Sequence, residues 1–156
     1  MDKTPSDIER FQLRPLRPDD GKRVVFLGEA ADMGTLDIAA ETTVATDAED
    51  NVIGFLRIST YGGISYVNPI VVDPSWHGKG VGTALMRQAV CRYGEVRFVA
   101  RGSSRAFYEK LGCEAIPWSM IAPEIVSDCD DCDRAETCVP CPMRLGKPQK
   151  PVFPPV

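Results

Sequence analysis

The sequence predicts a mixed α+β fold, in which a mostly antiparallel sheet is flanked by helices. Three strand-like segments, residues 43–46, 53–60 and 64–72, follow one another across short turns that contain Asp, Asn and Gly, as expected for an antiparallel meander. The last segment ends in an apolar run before Pro74 and leads through a glycine-rich turn into a helical pattern. A meander followed by helices that alternate with strands indicates the mixed class.

The chain upstream of the meander is predicted to add one strand and one or two helices. Apolar residues at Phe11 and Leu13 alternate with polar ones and predict a short first strand. Asp19 or Asp20 is placed to cap a helix that carries the apolar positions of residues 24–30. A short second helix within residues 36–40 stays open.

Downstream of the glycine-rich turn, helical and strand patterns alternate. They predict a helix over residues 83–93, a strand over 96–100, a helix over 103–111 and a last core strand from Cys113. Ser103 suits the N-cap of the second of these helices, and Gly112 is its natural stop. Cys91 and Cys113 are interpreted as small core residues.

Composition limits the class of protein. At 156 residues the chain is long enough for one domain with a real core. Its formal net charge of −4 argues against general affinity for nucleic acid, and no apolar run approaches the roughly 18 residues of a membrane span. The first residues lack the apolar core of a signal peptide. We therefore expect a cytoplasmic protein, in which cysteine thiols stay reduced.

The most informative stretch is the turn His77-Gly78-Lys79-Gly80-Val81-Gly82. Its glycines allow a tight turn and leave room for a ligand. The helix that follows has unpaired N–H groups at the positive end of its dipole, which suits a phosphate or pyrophosphate. The spacing alone is a weak signal, because many loops with three glycines bind nothing. It matches neither a Walker loop nor a dinucleotide fingerprint.

A second stretch, Phe107-Tyr108-Glu109-Lys110-Leu111-Gly112, makes the first one specific. In this order, and about 25 residues apart, the two stretches resemble the acetyl-CoA-dependent N-acetyltransferases of the GNAT superfamily, over roughly residues 10–120. The resemblance implies the GNAT (acyl-CoA N-acyltransferase) fold and acetyl-CoA as co-substrate. This sequence departs from the family in having His77 in place of Arg or Gln, and Arg101 in place of a cofactor-contacting Asn.

The resemblance also implies where the cofactor binds. The backbone N–H of Ile70 would contact the acetyl carbonyl as an oxyanion-type donor, Val72 would pair with the pantetheine amides, and Pro69 would suit the bulge that opens a slot for the pantetheine arm. Arg101 or Arg105 would pair with a CoA phosphate. The predicted cofactor-binding residues are Ile70, Val71, Val72, His77, Gly78, Lys79, Gly80, Val81, Gly82, Thr83 and Arg105.

Tyr108 occupies the position that, in the family, protonates the departing thiolate, so the implied catalytic residues are Tyr108 and Ile70. A plain packing role for the Tyr108 ring is the alternative. His77 is the only histidine, but its motif position faces the phosphates rather than the acetyl group, so we do not assign it as general base.

The general base is not identified by the sequence. Tyr66 stands where some family members have an acid, four residues before Ile70. Other polar candidates are Asn68 and, more loosely, Glu41 or Asp73. A water molecule relayed to bulk solvent would suffice for an amine that is already partly neutral.

The C-terminal segment carries two Cys-x2-Cys pairs, Cys129 with Cys132 and Cys138 with Cys141. They match the ligand set of a four-cysteine site for tetrahedral zinc or an iron–sulfur cluster. Four unrelated free thiols are the alternative. The sequence thus predicts a GNAT acyltransferase domain over residues 1–122 and a cysteine- and proline-rich, metal-binding tail over residues 123–156.

The predicted function is that of an N-acetyltransferase that acts on a primary amine of a small molecule or of a protein. One alternative is a non-catalytic acyl-CoA-binding or sensing module, which the missing acid favours. Another is an interaction protein that recruits a partner through its metal-binding tail. A homodimer stays open, and nothing in the sequence names the acceptor.

Overall fold

The computed structural model describes residues 10–31, 33, 41–130 and 138–146, with side chains up to residue 127 in the helix that ends at residue 130. The strands are β1 (Gln12–Pro15), β2 (Glu41–Thr46), β3 (Val52–Tyr61), β4 (Ile64–Val72), β5 (Glu95–Ala100), β6 (Glu114–Ala115) and β7 (Cys141–Gly146). The helices are α1 (Gly21–Ala30), α2 (Val81–Tyr93), α3 (Arg105–Leu111) and α4 (Pro123–Asp130). No helix in the described ranges is both long enough and apolar enough to cross a membrane.

The strands hydrogen-bond in the order β1-β2-β3-β4-β5-β7-β6. The pairs β1–β2, β2–β3, β5–β7 and β6–β7 are antiparallel. Strand β4 runs parallel to β5, with Ser65 opposite Val96 and Tyr66 opposite Arg97. A mostly antiparallel sheet with helices confirms the predicted α+β class.

The chain forms two compact units, and the first consists of residues 1–59 and 67–88. Its core is built from apolar side chains of α1 and strands β2 to β4, namely Val24, Leu27, Val44, Val52, Phe55 and Val71. A Cβ atom at Gly54 would lie 3.0 Å from the backbone oxygen of Val71 and 3.4 Å from Val81. Glycine at position 54 therefore lets β3 lie close to the end of β4 and the start of α2.

The second unit consists of residues 60–66 and 89–156. Its core cluster contains Tyr66, Ile116, Ile121, Ala122 and Ile125. Strand β7 lies between β5 and β6, with Ala100 opposite Cys141 and Glu114 opposite Arg144. This strand belongs to the segment that the sequence assigns to a separate tail, so part of that segment completes the sheet of this unit.

Neither predicted N-cap is formed by a side chain. Helix α3 begins at Arg105, with Ser104 instead of Ser103 at its N-cap. Asp20 precedes α1 but makes no side-chain capping bond to it. Its carboxylate instead accepts from Arg14 (Nη1 at 2.7 Å, Nη2 at 3.0 Å) and from the backbone N–H of Arg17 at 2.6 Å. The hydrogen bonds from Arg14 hold the pKa of Asp20 below its ordinary value. The Asp20 carboxylate therefore stabilises the turn before α1.

The second helix expected within residues 36–40 lies outside the described residues.

Candidate active site

The glycine-rich turn joins the end of β4 to α2 within the first unit. Gly78 has φ of 78° and Gly80 has φ of 86°, in the left-handed region that side chains rarely adopt. A Cβ atom built on either glycine meets no atom within 4 Å. The glycines are therefore required by the backbone conformation, and they leave open space in front of the turn where a ligand can reach the backbone. Gly82 lies within α2 instead.

The start of α2 faces the same turn. The amide of Ala84 donates to the oxygen of Gly80 at 3.0 Å as the first turn of the helix forms. Helix geometry leaves the N–H groups before Ala84 without partners inside the helix. These groups stand at the positive end of the dipole of a 13-residue helix. An anionic group such as a phosphate is the ligand that this arrangement suits.

The side chains around the turn contact neighbouring residues in this structure. Nε2 of His77 lies 2.9 Å from the backbone oxygen of Val72, and a carbonyl only accepts, so Nε2 carries the proton. Nζ of Lys79 lies 5.2 Å from the centre of the Trp76 ring. The predicted contacts of His77 and Lys79 with cofactor phosphates stay predictions.

Asp73, one of the residues considered as general base, is engaged elsewhere. In Asp73, Oδ1 accepts from the backbone N–H and the hydroxyl of Ser75 at 2.9 and 2.7 Å, and Oδ2 accepts from Arg23 at 2.8 Å. These bonds, above all that from the Ser75 amide, lower the pKa of Asp73. A carboxylate with a lowered pKa is a weak proton acceptor, so the geometry argues against Asp73 as base.

Tyr66, which stands where some family members have an acid, is a buried structural residue. It is 2 % exposed; its hydroxyl accepts from the amide of Ala122 at 3.0 Å and donates to the oxygen of Met120 at 3.4 Å. For Asn68, the backbone oxygen accepts from Arg57 at 2.7 Å. Glu41 is exposed at the start of β2. We assign no base among the described residues.

Tyr108 lies on α3 in the second unit. Its ring is buried, with its centroid 4.7 Å from that of Phe98 and 5.1 Å from that of Phe107. The pKa of Tyr108 is raised to about 12, mainly by burial and to a smaller extent by the charge of Cys113, while Arg101 acts to lower it. The hydroxyl therefore keeps its proton at neutral pH, which is the form that a proton donor needs. The aromatic packing and the predicted proton donation are compatible.

Arg105, predicted to pair with a CoA phosphate, is one turn of α3 before Glu109. Its Nε donates to Oε1 of Glu109 at 2.8 Å, and both side chains are more than half exposed. Such an i,i+4 pair at the surface is weak and exchanges readily with other partners. The predicted contact of Arg105 with CoA therefore stays a prediction.

Only half of the predicted metal site falls on described side chains. Cys138 and Cys141 are half-buried, and between them Val139 has φ of 46°. A Cβ atom at Gly102 would lie 2.9 Å from the oxygen of Cys138 and 3.1 Å from that of Val139, so this loop packs closely on Gly102. The side chain of Cys129 and all of Cys132 lie outside the described residues.

Among the residues that are described, no three His, Cys, Asp or Glu side chains are grouped to hold a metal ion. The four-cysteine site therefore stays a prediction. The other two cysteines differ from each other: Cys113 is buried, as predicted, whereas Cys91 is exposed on α2. The prediction of Cys91 as a core residue is wrong, since the inward stripe of α2 is made by Val81, Leu85, Met86 and Ala89.

Comparison with known proteins gives one family match and many structural ones. Residues 39–114 match the model of the acetyltransferase (GNAT) domain. No curated protein matches the sequence. The matched segment contains the meander, the glycine-rich turn and the Tyr108 helix, whereas α1 and the two cysteine pairs lie outside it.

Three solved structures illustrate the structural similarity. N-acetylglutamate synthase from Neisseria gonorrhoeae, complexed with coenzyme A and N-acetyl-glutamate, has a TM-score of 0.71 at 11% identity; the match covers 90% of this chain and only 36% of that one. Rv2747 from Mycobacterium tuberculosis, in complex with CoA, has a TM-score of 0.67 at 17% identity, covering 88% and 99%. Ard1 from Thermoplasma volcanium has a TM-score of 0.65 at 21% identity, covering 89% and 99%.

Proposed function

We propose that this chain, which carries an acetyltransferase (GNAT) domain over residues 39–114, is an N-acetyltransferase that moves the acetyl group of acetyl-CoA to a primary amine. The observation that carries the proposal is the turn before α2. Two left-handed glycines, Gly78 and Gly80, open the backbone to solvent directly before a helix N-terminus, inside the matched segment. A pyrophosphate is the part of CoA that such a turn binds.

In the proposed reaction, each part of the chain has one task. The N–H groups of residues 78–83 hold the pyrophosphate, while the backbone at the end of β4, Ile70 to Val72, orients the pantetheine arm. The N–H of Ile70 donates to the acetyl oxygen as negative charge develops there. The amine nitrogen then forms a bond to the acetyl carbon as the carbon–sulfur bond breaks.

Two protons must move for the reaction to complete. The departing thiolate takes one, and the Tyr108 hydroxyl, which is protonated throughout the neutral range because burial raises its pKa to about 12, is the proposed donor. The amine releases the other to water, since Asp73 and Tyr66 are held in hydrogen bonds. An amine with a neutral fraction at working pH needs no stronger base.

The acceptor is proposed only as a class, an amine of a small molecule or of a protein. Structural neighbours of both kinds support this breadth, among them the Neisseria N-acetylglutamate synthase and a ribosomal-protein-S18-alanine N-acetyltransferase from Escherichia coli. A cytoplasmic location remains part of the proposal.

The absence of an assigned base among the described residues favours one second candidate, a module that binds acyl-CoA without turning it over. The two functions are separated by measuring binding and turnover on the same preparation. Calorimetric titration with acetyl-CoA reports binding, and release of the CoA thiol with a panel of amines and peptides reports transfer. Amine-dependent thiol release supports the enzyme, and binding without release supports the sensor. Absence of both binding and thiol release would refute both functions.

The cysteine-rich segment is proposed to hold one metal ion through Cys129, Cys132, Cys138 and Cys141. The support is the spacing of the two Cys-x2-Cys pairs and the chemistry of a four-thiolate set, which suits zinc and, as the alternative, an iron–sulfur cluster. In this proposal the metal orders the segment between α4 and β7, and recruitment of a partner by this segment is a further option.

A further inference from the structure

Asp73, the residue that follows β4, has every polar group engaged. Its backbone N–H donates to the oxygen of Ile53 at 2.8 Å, and its backbone oxygen accepts from Trp76 at 2.8 Å. Carboxylate oxygen Oδ1 accepts twice from Ser75, and Oδ2 accepts from Arg23. Asp73 thereby joins three segments of the first unit: strand β3, helix α1 and the 3-10 turn that precedes the glycines.

Arg23 on α1 contacts β3 and its own helix as well as Asp73. Nε donates to the backbone oxygen of Val52 at 3.1 Å while Nη2 bonds Asp73 at 2.8 Å. The guanidinium also lies 5.1 Å from the centre of the Phe26 ring. Arg23 therefore bridges the start of β3 and the end of β4, the two strands whose close approach Gly54 permits.

The segment between Asp73 and α2 contains Gly78 and Gly80, whose φ angles are left-handed. Its far end is fixed by α2, where Val81 is 1 % exposed. Its near end is fixed by Asp73. A glycine-containing turn that is fixed at both ends has fewer conformations to lose when a ligand binds, which raises affinity without any new ligand contact.

We propose that Arg23 and Asp73 are positioning residues that pre-organise the glycine-rich turn for the pyrophosphate of CoA, without touching the cofactor. The proposal rests on the proposed function. It predicts that loss of the Arg23–Asp73 pair weakens the binding of acetyl donors that contain the pyrophosphate and leaves the binding of donors that lack it unchanged.

The test uses Arg23→Gln, Asp73→Asn and the double variant of the full chain. Asn at position 73 keeps an oxygen for Ser75 but presents no charge to Arg23. With acetyl-CoA as donor, KM and Kd are expected to rise roughly tenfold in each variant with kcat little changed. The double variant should lose no more than either single one, because both changes remove the same contact.

The discriminating probe is acetyl-pantetheine, which has the thioester and the pantetheine amides but no pyrophosphate. Its kcat/KM is expected to be the same in the variants as in the wild type. The matched control is Arg14→Gln, which breaks another arginine pair of the same unit, with Asp20 and Asp50, and is expected to leave KM for both donors unchanged.

The outcomes separate this inference from the proposed function. A wild-type protein that binds no acetyl-CoA refutes the proposed function itself. A wild-type protein that binds acetyl-CoA, with variants that bind it equally well, overturns the positioning role alone. Equal losses for acetyl-CoA and acetyl-pantetheine also overturn it, because they indicate general destabilisation of the unit.

Discussion

Nε2 of His77 donates a hydrogen bond to the backbone oxygen of Val72 at 2.9 Å. The only histidine of the sequence thus folds back on the strand that leads into the glycine-rich turn. In this arrangement the proton of the imidazole is committed to the end of β4. The geometry suits a side chain that steadies the turn.

Replacing His77 by Asn tests this assignment. We expect kcat to change less than about threefold, whereas loss of a general base would cost roughly 10²-fold or more. The KM for acetyl-CoA should rise a few-fold, because the contact with Val72 is lost. Steady-state kinetics across pH 6–9 checks both, and disappearance of an acidic limb from the kcat profile in the variant would show that the histidine does act as the base.

The turn itself is tested by Gly80→Asp, which we expect to abolish binding of acetyl-CoA. The change puts a side chain and a negative charge where the pyrophosphate is proposed to lie. Gly63→Asp is the matched control, since Gly63 also has a left-handed backbone, with φ of 77°, and open space around it. Both variants carry similar backbone strain, so calorimetry should find binding lost only in Gly80→Asp; loss in neither would contradict the site.

Tyr108→Phe keeps the ring packed against Phe98 and removes the hydroxyl. We expect kcat to fall roughly 10²-fold, with little change in the Kd of acetyl-CoA, if the hydroxyl protonates the leaving thiolate. Tyr66→Phe is the control, because it removes a buried hydroxyl from the same unit. That change leaves the Ala122 amide unpaired and should cost about 1–3 kcal/mol of stability with kcat retained. A Tyr108→Phe variant as fast as wild type would leave Tyr108 a packing residue.

The fold was predictable to the extent that its signals are local. The meander and the helix after the glycines follow from periodicity and turn residues, and Gly112, with φ of 105°, ends α3 as predicted. Strand β7 was missed because Pro142 interrupts a strand pattern and the neighbouring cysteines indicate metal ligands. Pro142 has no amide to donate, yet its oxygen accepts from Ile116 at 3.0 Å, so β7 tolerates it.

The candidate site likewise has a part that local sequence predicts and a part that depends on contacts between distant residues. The glycine-rich turn is contiguous in sequence, and its residue types follow directly from the backbone conformation. The bridge from Arg23 to Asp73 joins residues 50 positions apart, and an arginine on the surface of α1 carries no sequence signal of that partner. Tyr66 also carries no sequence signal of its partners. Its hydroxyl hydrogen-bonds the backbone of residues 120–122, whereas the sequence showed only that the acid of some family members is missing at this position.

Burial of Tyr108 also makes stability depend on alkaline pH. Its pKa is raised from 10.0 to about 12, so the folded chain keeps a proton that the unfolded chain releases between those values. The contribution of Tyr108 to the free energy of unfolding is therefore complete below about pH 10. It falls as pH rises to 12, by at most about 1.4 kcal/mol per pH unit. Urea unfolding of Tyr108→Phe should show a shallower loss above pH 10.

Cys113 gives a second contribution, in a pH window that partly overlaps the first. Burial raises the pKa of its thiol from 9.0 to about 11, so its stabilising effect is lost in a lower window, as pH rises from 9 to 11. Cys113→Ala should flatten the curve there, and Tyr108→Phe only above pH 10. Identical slopes for wild type and Tyr108→Phe would mean that the hydroxyl is more solvated than its burial indicates.

The last prediction concerns the two cysteine pairs. Residues 131–140, between α4 and β7, include three acidic residues and Val139 as the one large apolar residue, so burial is not expected to offset an ordering cost of about 1–2 kcal/mol per residue there. Metal binding to four thiolates is worth on the order of 10 kcal/mol, enough to order a short loop. Between Cys138 and Cys141 the β-branched residue Val139 has a left-handed φ of 46°, a conformation that such residues rarely adopt. Binding of a metal ion by the two flanking cysteines would hold the loop in this conformation.

We therefore expect about one zinc per chain by elemental analysis of protein purified without chelator. Replacing either pair by Ser, Cys129 with Cys132 or Cys138 with Cys141, should abolish the metal and expose the segment between α4 and β7 to protease. Cys91→Ser, which changes an exposed thiol outside the pairs, should keep both the metal and the protection. A brown, iron-containing protein from anaerobic preparation would identify a cluster instead of zinc. Metal-free protein that resists protease in this segment would contradict the site, because the order would then come from β7 pairing with β5 and β6 alone.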